Sequence, residues 1–452
     1  MLRPTLSPPS RRSPDQRGAF RVNSPAPRER LLQLGPETPR PGLTRIRALL
    51  EQLGKPQLAY PTAIVAGTNG KGSTAAMIAA IARAAGLRVG AYTSPHLARL
   101  EERFSIDGHP ISSTGLESHL DAVLTTADVM VDSGLLHEHP SYFETLTAVA
   151  FRYFAEARAD VVVLEVGLGG RLDATNVTAP RVAVITPISL DHTDWLGDDI
   201  RKIAEEKFAV VPSGGVAVIA PQRPDVMETL RARATERAIT LIDSTLYQLH
   251  ERDGGSVDLL GRVRNYGGLE IGLAGRHQLD NARCAVLATE ALDRRRLRIG
   301  SDAVWAGLRS VSVPGRCEWI DGNPPVLLDG AHNPGAAEVL AEHLVHLKED
   351  GRFRRLHLIA GILADKDTGA VAERLFPLAD TITTTPVPSG RSADPDEFAA
   401  LAPREGQPRK AVATPEAALA TAYECAEQGD LICITGSLYL LGHLRPIIQP
   451  DS

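Results

Sequence analysis

"TAIVAGTNGKGST", residues 62–74, is a short apolar run that breaks into glycines set among Thr, Asn, Lys and Ser. A strand that turns on glycine into a helix makes an anion site. The backbone N–H groups of Asn69, Gly70, Lys71, Gly72 and Ser73 can wrap a phosphate, the helix start adds a favourable dipole, and Lys71 brings a full charge. The loop departs from the common phosphate loop in two places. Val65 stands where that loop has its first glycine, and Gly72 separates Lys71 from the hydroxyl of Ser73. It therefore reads as a nucleotide loop serving a chemistry other than that of the usual kinase or GTPase.

Outward from this stretch the same grammar repeats. The alanine-rich "GSTAAMIAAIARAAG" that follows reads as a helix stopped by Gly86. Strands are expected at Thr62–Gly67, Arg88–Thr93, Asp160–Val166, Arg181–Ile188 and Val216–Ala220, alternating with helical patterns. That is the mark of an α/β fold with a parallel sheet. Residues 257–274 read instead as hairpin strands. After Pro314-Gly315, a natural linker, a second series is expected at Val326–Asp329, Leu356–Gly361, Thr381–Thr385 and Leu431–Thr435. The chain thus divides into a large ATP-binding domain over residues 31–312 and a smaller Rossmann-like α/β domain over 313–452. Residues 1–30, rich in Pro, Ser and Arg, read as a disordered tail outside the fold.

The 452 residues are 43% hydrophobic and 23% charged with a net charge of −6. This balance offers nothing to nucleic acid or an anionic membrane. No apolar run reaches the ~18 residues of a membrane helix. Four scattered cysteines without a C-x-x-C pair suggest reduced, buried thiols and a cytoplasmic protein.

Parallel sheets place ligands beyond the carboxyl ends of their strands. Ser94 and His96 in "TSPHL", Glu165 in "EVGLGGRLDATN", and Asp191, His192 and Asp194 in "LDHTDWLG" all fall at such ends. Ser94, Glu165 and His192 could together hold an octahedral divalent ion, with water or phosphate oxygens completing it. In the smaller domain "LDGAHNP" crowds Asp329, His332 and Asn333 into one turn. Lys207, in "DDIRKIAEEKFAVV", reads from spacing alone as a solvated lysine paired with Glu205 or Glu206.

Together, "VAGTNGKGST", "TSPHL", "SYFE", "EVGLGGRLDATN", "LDHTDWLG", "GRHQLDNA", "PGR" and "LDGAHNP" resemble the folylpolyglutamate synthase/dihydrofolate synthase family of Mur-ligase-like amide ligases. The resemblance runs in order from about Leu31 to Gly442 and continues through "GILADKD" and "TGSLYLLG". It implies ATP-dependent ligation of L-glutamate to a folate or dihydropteroate carboxylate through an acyl phosphate, by a monomeric enzyme using Mg2+. Asn69–Ser73, Asn281, Arg316 and Asp329 would contact ATP, and Ser94, Glu165 and His192 would hold the metal. Arg40, Pro41 and Gly42, Ser141, Tyr142, Phe143 and Glu144, and Leu172, Asp173 and Ala174 would form the pterin site. Lys71 and His332 would be catalytic, as would Lys207 in an N6-carboxylated form. Competing readings are a Mur-type ligase acting on a non-folate carboxylate, a phosphotransferase, and a non-catalytic ATP-binding regulator.

Overall fold

The computed structural model describes residues 25–35, 40–191, 193–252, 254–293, 297–402 and 406–449. The larger sheet has eight strands: β1 (Thr62–Ala66), β2 (Val89–Tyr92), β3 (Phe104–Ile106), β4 (His109–Pro110), β5 (Val161–Glu165), β6 (Val182–Ile185), β7 (Val216–Ile219) and β8 (Thr240–Asp243). Their order is β4-β3-β2-β5-β1-β6-β7-β8. β1 pairs in parallel with both β5 and β6, and every residue of these three strands is buried. The runs "TAIVA", "VVVLE" and "VAVI" are apolar on both faces because helices cover both.

Side chains alternate across the strand. Ile64, Val162 and Leu164 therefore pack with helices Thr44–Gln52, Tyr142–Glu156 and Ile200–Phe208. Ala63, Val65 and Val163 pack with helices Lys71–Ala84 and His277–Leu292. Three short strands, β9 (Leu249–Glu251), β10 (Val257–Leu260) and β11 (Asn265–Leu269), form an antiparallel sheet beside this core.

The smaller sheet contains β12 (Glu318–Ile320), β13 (Val326–Leu328), β14 (Leu356–Ala360), β15 (Thr381–Thr384), β16 (Arg409–Ala411) and β17 (Leu431–Thr435). Its order is β12-β13-β17-β14-β15-β16, parallel except for the β12–β13 pair. The α/β class and the two sheets agree with the sequence reading. β3, β4, β8, β9, β12 and β16 escaped it. They are outer strands of two to four residues, too short for a period to register.

One expectation is corrected. Residues 25–30 belong to the fold, and Pro27–Gln33 is a helix with proline in its first turn and Leu31 buried. Arg28 donates to Glu101 and Glu117, both at 2.6 Å, and Arg30 to Asp128 at 2.6 Å. These acids lie 73, 89 and 98 residues away in the chain, so local composition could not reveal them. Residues 1–24 lie outside the described set. Among the described residues no helix is long and apolar enough to cross a membrane.

Candidate active site

The carboxyl ends of both parallel sheets meet across one cleft of about 450 Å³. β1 delivers the glycine loop. Gly70 caps helix Lys71–Ala84 in a left-handed conformation, φ +83°, which favours glycine. A Cβ there would come within 2.5 Å of Asn281 Oδ1. The loop is tied to helix His277–Leu292: Thr74 Oγ1 donates to Asn281 Oδ1 at 3.3 Å, Asn281 Nδ2 to Gln278 Oε1 at 2.9 Å, and Gln278 Nε2 to Ser73 Oγ at 3.3 Å.

Lys71 starts that helix and donates to the carbonyls of Gly67 and Thr68, at 3.2 and 2.9 Å. Burial lowers its pKa, against the pull of Glu165. Glu165, at the end of β5, is 5% exposed. Burial raises its pKa while Lys71 opposes the rise. Glu165 Oε2 accepts from the Ser94 N–H at 3.1 Å. Glu165 Oε1 and Ser94 Oγ make no hydrogen bond among the described residues, and both residues line the cleft. Two hard oxygen donors beside a nucleotide loop suit a divalent ion. His192, the third expected ligand, lies outside the described residues. His96 turns away, its Nδ1 accepting from Arg103 Nε at 3.0 Å. Burial and that cation push its pKa down to about 4.

The smaller domain closes the other side. Arg316 lines the cleft with no hydrogen-bond partner among the described residues. Asp329 also lines it, but its oxygens accept from the N–H groups of Cys317 (2.8 Å) and Ala331 (2.9 Å), so it shapes the turn. His332 Nδ1 is 2.8 Å from the Gly330 carbonyl. A carbonyl only accepts, so Nδ1 carries the proton and Nε2 is left as the basic nitrogen. Burial lowers the His332 pKa, with Asp191 opposing.

Polar contacts cross between the domains, among them Asn333 Nδ2 donating to Asp191 Oδ2 at 3.2 Å. Asn69 and Asn333 exchange amide hydrogen bonds at 3.0 and 3.3 Å. Lys366 Nζ meets Asp191 Oδ1 at 2.6 Å, both side chains less than a tenth exposed. The sequence reading quoted Lys366 only within "GILADKD" and gave it no role. Its place just past the end of β14, where a parallel sheet sets ligands, was the available signal.

A second cavity of about 500 Å³ lies beside the first. All ten residues expected at the pterin site line it: Arg40, Pro41, Gly42, Ser141, Tyr142, Phe143, Glu144, Leu172, Asp173 and Ala174. Gly167 lines both cavities, so the two adjoin there. Glu144 is the third residue of helix Tyr142–Glu156. Its Oε2 accepts from Ser141 N (2.7 Å) and Arg45 Nε (3.0 Å), and Oε1 is buried without a partner. Asp173 spends both oxygens on Gly167 N, Leu168 N and Thr175. It holds the glycine loop in shape rather than offering a free carboxylate.

That loop seats Lys207. A Cβ on Gly170 would lie 2.6 Å from the Glu206 carbonyl and 2.9 Å from Lys207 Cα, so the loop packs directly on helix Ile200–Phe208. The solvated-face reading of Lys207 is thereby corrected. Glu205 and Glu206 pair with Arg233 and Arg171 instead, and Lys207 is 5% exposed. Burial, and secondarily Lys71, bring its pKa down to about 7.

A fold of two α/β sheets facing a glycine loop defines a Mur-type ligase. The Mur ligase middle domain matches residues 65–289, and the Mur ligase glutamate ligase domain matches residues 315–438. A dihydrofolate synthase/folylpolyglutamate synthase of Mycobacterium tuberculosis is 41% identical over 380 residues, spanning 80% of this chain and 77% of the relative. The chain belongs to the folylpolyglutamate synthase/dihydrofolate synthase family. Among solved structures it is similar to M. tuberculosis folylpolyglutamate synthase complexed with ADP and AMPPCP. There the TM-score is 0.85 and identity 37%, over 94% of this chain and 98% of that one. It also resembles a bifunctional folylpolyglutamate synthase/dihydrofolate synthase with Mn, AMPPNP and L-glutamate bound. In that case the TM-score is 0.81 and identity 31%, with 94% and 98% covered.

Proposed function

We propose that this enzyme joins the amine of L-glutamate to the carboxylate of dihydropteroate and of reduced folates, consuming ATP and releasing ADP and phosphate. The observation that carries the reading is the pair of adjoining cavities, one at the nucleotide loop and one walled by "SYFE" and "LDA", which meet at Gly167. The two bound ligands would thus present a carboxylate to a γ-phosphate. The substrate carboxylate attacks that phosphorus, and ADP leaves. The glutamate nitrogen then attacks the acyl carbon, loses a proton, and expels phosphate.

Asn69–Ser73 cradle the phosphates, and Lys71 offsets the charge that gathers on the transferred group. Asn281, Arg316 and Asp329 border the same cleft and complete the nucleotide site. His332 Nε2 is neutral and basic, suited to take the amine proton. The Asn69–Asn333 and Asp191–Lys366 contacts favour a closed form, which keeps water from the acyl phosphate. Ser94 and Glu165, with His192, would hold Mg2+, which when bound neutralises phosphate charge. Lys207, buried with a lowered pKa, has the neutral amine that carboxylation requires, and we assign it as N6-carboxylysine. The domain division is placed at residues 312/313 and the active unit is taken as a monomer. Four unpaired cysteines, three of them buried, support a reducing cytoplasm.

The test is ADP release with each pterin. Turnover is expected with dihydropteroate and with tetrahydrofolate, and in both cases only when glutamate is present. ADP release without glutamate would point to a phosphotransferase, and extension of tetrahydrofolate alone would remove the dihydrofolate synthase activity. Glu165→Gln should raise the Mg2+ concentration for half-maximal rate about tenfold or more, since it keeps the shape and removes the ligand charge. An unchanged Mg2+ titration would discard the metal site.

A further inference from the structure

His332 and Asp191 come one from each domain, and both line the nucleotide cleft. His332 Nε2 lies 3.9 Å from Asp191 Oδ2. That is too long for a hydrogen bond, and with the ring proton on Nδ1 both atoms are acceptors. The pair is one proton short of an ion pair. The His332 side chain is 31% exposed and that of Asp191 9%. A nucleophile in the cleft therefore reaches the ring more readily than the carboxylate.

The smaller domain grips Asp191 by both oxygens. Lys366 Nζ donates to Oδ1 at 2.6 Å and Asn333 Nδ2 to Oδ2 at 3.2 Å. Asn333 is itself fixed as the cap of helix Pro334–Glu349, its Oδ1 accepting from Ala336 N at 2.9 Å. His332 precedes it in the same turn, so the contacts that hold the carboxylate also set the ring beside it. Burial, Lys366 and Arg316 all oppose a positive charge on that ring, and Asp191 is the carboxylate that favours it. Without Asp191 an imidazolium here would stand among cations.

When glutamate attacks the acyl phosphate, its nitrogen bonds to the acyl carbon and the bond from that carbon to the phosphate oxygen breaks. One N–H proton must leave the nitrogen. We propose that Asp191 is a positioning residue for this step, the counter-ion of the imidazolium formed when His332 Nε2 takes that proton, which then passes to water. Because carboxylate and ring belong to different domains, the base is complete only while the domains are closed. Attack by the amine is thereby confined to the form that keeps water from the acyl phosphate. Formation of the acyl phosphate itself moves no proton and does not use the pair. This rests on the folate ligase reading above and adds a device to its second half-reaction.

The experiment reads the two half-reactions separately in wild type, Asp191→Asn, Asp191→Glu, His332→Asn and the variant carrying both Asn substitutions. The first half is followed with dihydropteroate and Mg2+ but no glutamate, as exchange of a heavy-oxygen label between the bridging and non-bridging positions of ATP. The second is followed as turnover with L-glutamate. Asn keeps the size of Asp191 and can still accept from Lys366. Asp191→Asn should therefore leave exchange within about threefold of wild type and lower kcat about thirtyfold or more, with the glutamate KM within about twofold. Asp191→Glu should recover part of the rate. The double variant should be no slower than His332→Asn, since one residue acts through the other. Exchange and turnover that fall together would make Asp191 a brace of the cleft, which overturns the assignment. A glutamate KM that rises with kcat kept would make it a ligand of the amino acid, and this overturns it too. So do additive losses in the double variant, or wild-type turnover in Asp191→Asn. Each of these leaves the folate reading standing, whereas a wild type without exchange on dihydropteroate or tetrahydrofolate ends both.

Discussion

Lys71→Ala is expected to lower ADP release by about a thousandfold while leaving the fold intact. The ammonium rests on two loop carbonyls at the first residue of its helix and supports no apolar packing. Its charge is needed where phosphoryl charge develops. It is also the leading favourable influence on Glu165, so its loss drives that buried carboxyl further toward the protonated form. Two effects on one site explain why the change should exceed that of removing an ordinary hydrogen-bond donor. Circular dichroism should be unchanged and the Mg2+ dependence weakened. Turnover within tenfold of wild type would remove Lys71 from the phosphate site.

Lys207→Ala should cost about a hundredfold or more in turnover, with partial recovery when a short-chain carboxylate is added. Carboxylation needs the free amine: its nitrogen bonds to the carbon of carbon dioxide and releases a proton. With the pKa near 7, the amine is largely free above that pH. Enzyme stripped of carbon dioxide should therefore regain activity with bicarbonate faster as pH rises through 7. Linkage gives an independent check on the unmodified lysine. Its folded pKa lies below the usual 10.5, so the unfolded chain binds the proton more tightly. Stability of the stripped protein should rise from about pH 7 toward 10. A mass increase of one carboxyl group on Lys207 should accompany the activity. An unmodified Lys207 with a fully active alanine variant would leave it as a packing residue.

The folate family was legible because the chemistry sits at strand ends, and strand ends are local in sequence. An apolar run followed by glycine and polar residues marks the place where a backbone leaves the sheet, whatever lies next to it. For that reason Asn69–Ser73, Ser94, Glu165 and the turn at Asp329–Asn333 could be marked one segment at a time. Residue type at those positions did not disclose use. Asp173 and Asp329 line the two cavities, and their oxygens also accept from nearby N–H groups, since a carboxylate beside a tight turn finds those donors first.

What the sequence by itself determined was the α/β class, the two sheets, the nucleotide loop and the order of the motifs, all set by periodicity and by glycine within a few residues. What only the tertiary structure decided was each side chain's partner and solvent exposure. Arg28 found acids on distant segments, so the end of the supposed tail became a helix of the fold. Lys366 found Asp191 175 residues earlier. Lys207 lost its water to the glycine loop that begins after β5. Charge and pKa depend on distance and dielectric in three dimensions, and neither is encoded in the spacing of residues along one helix.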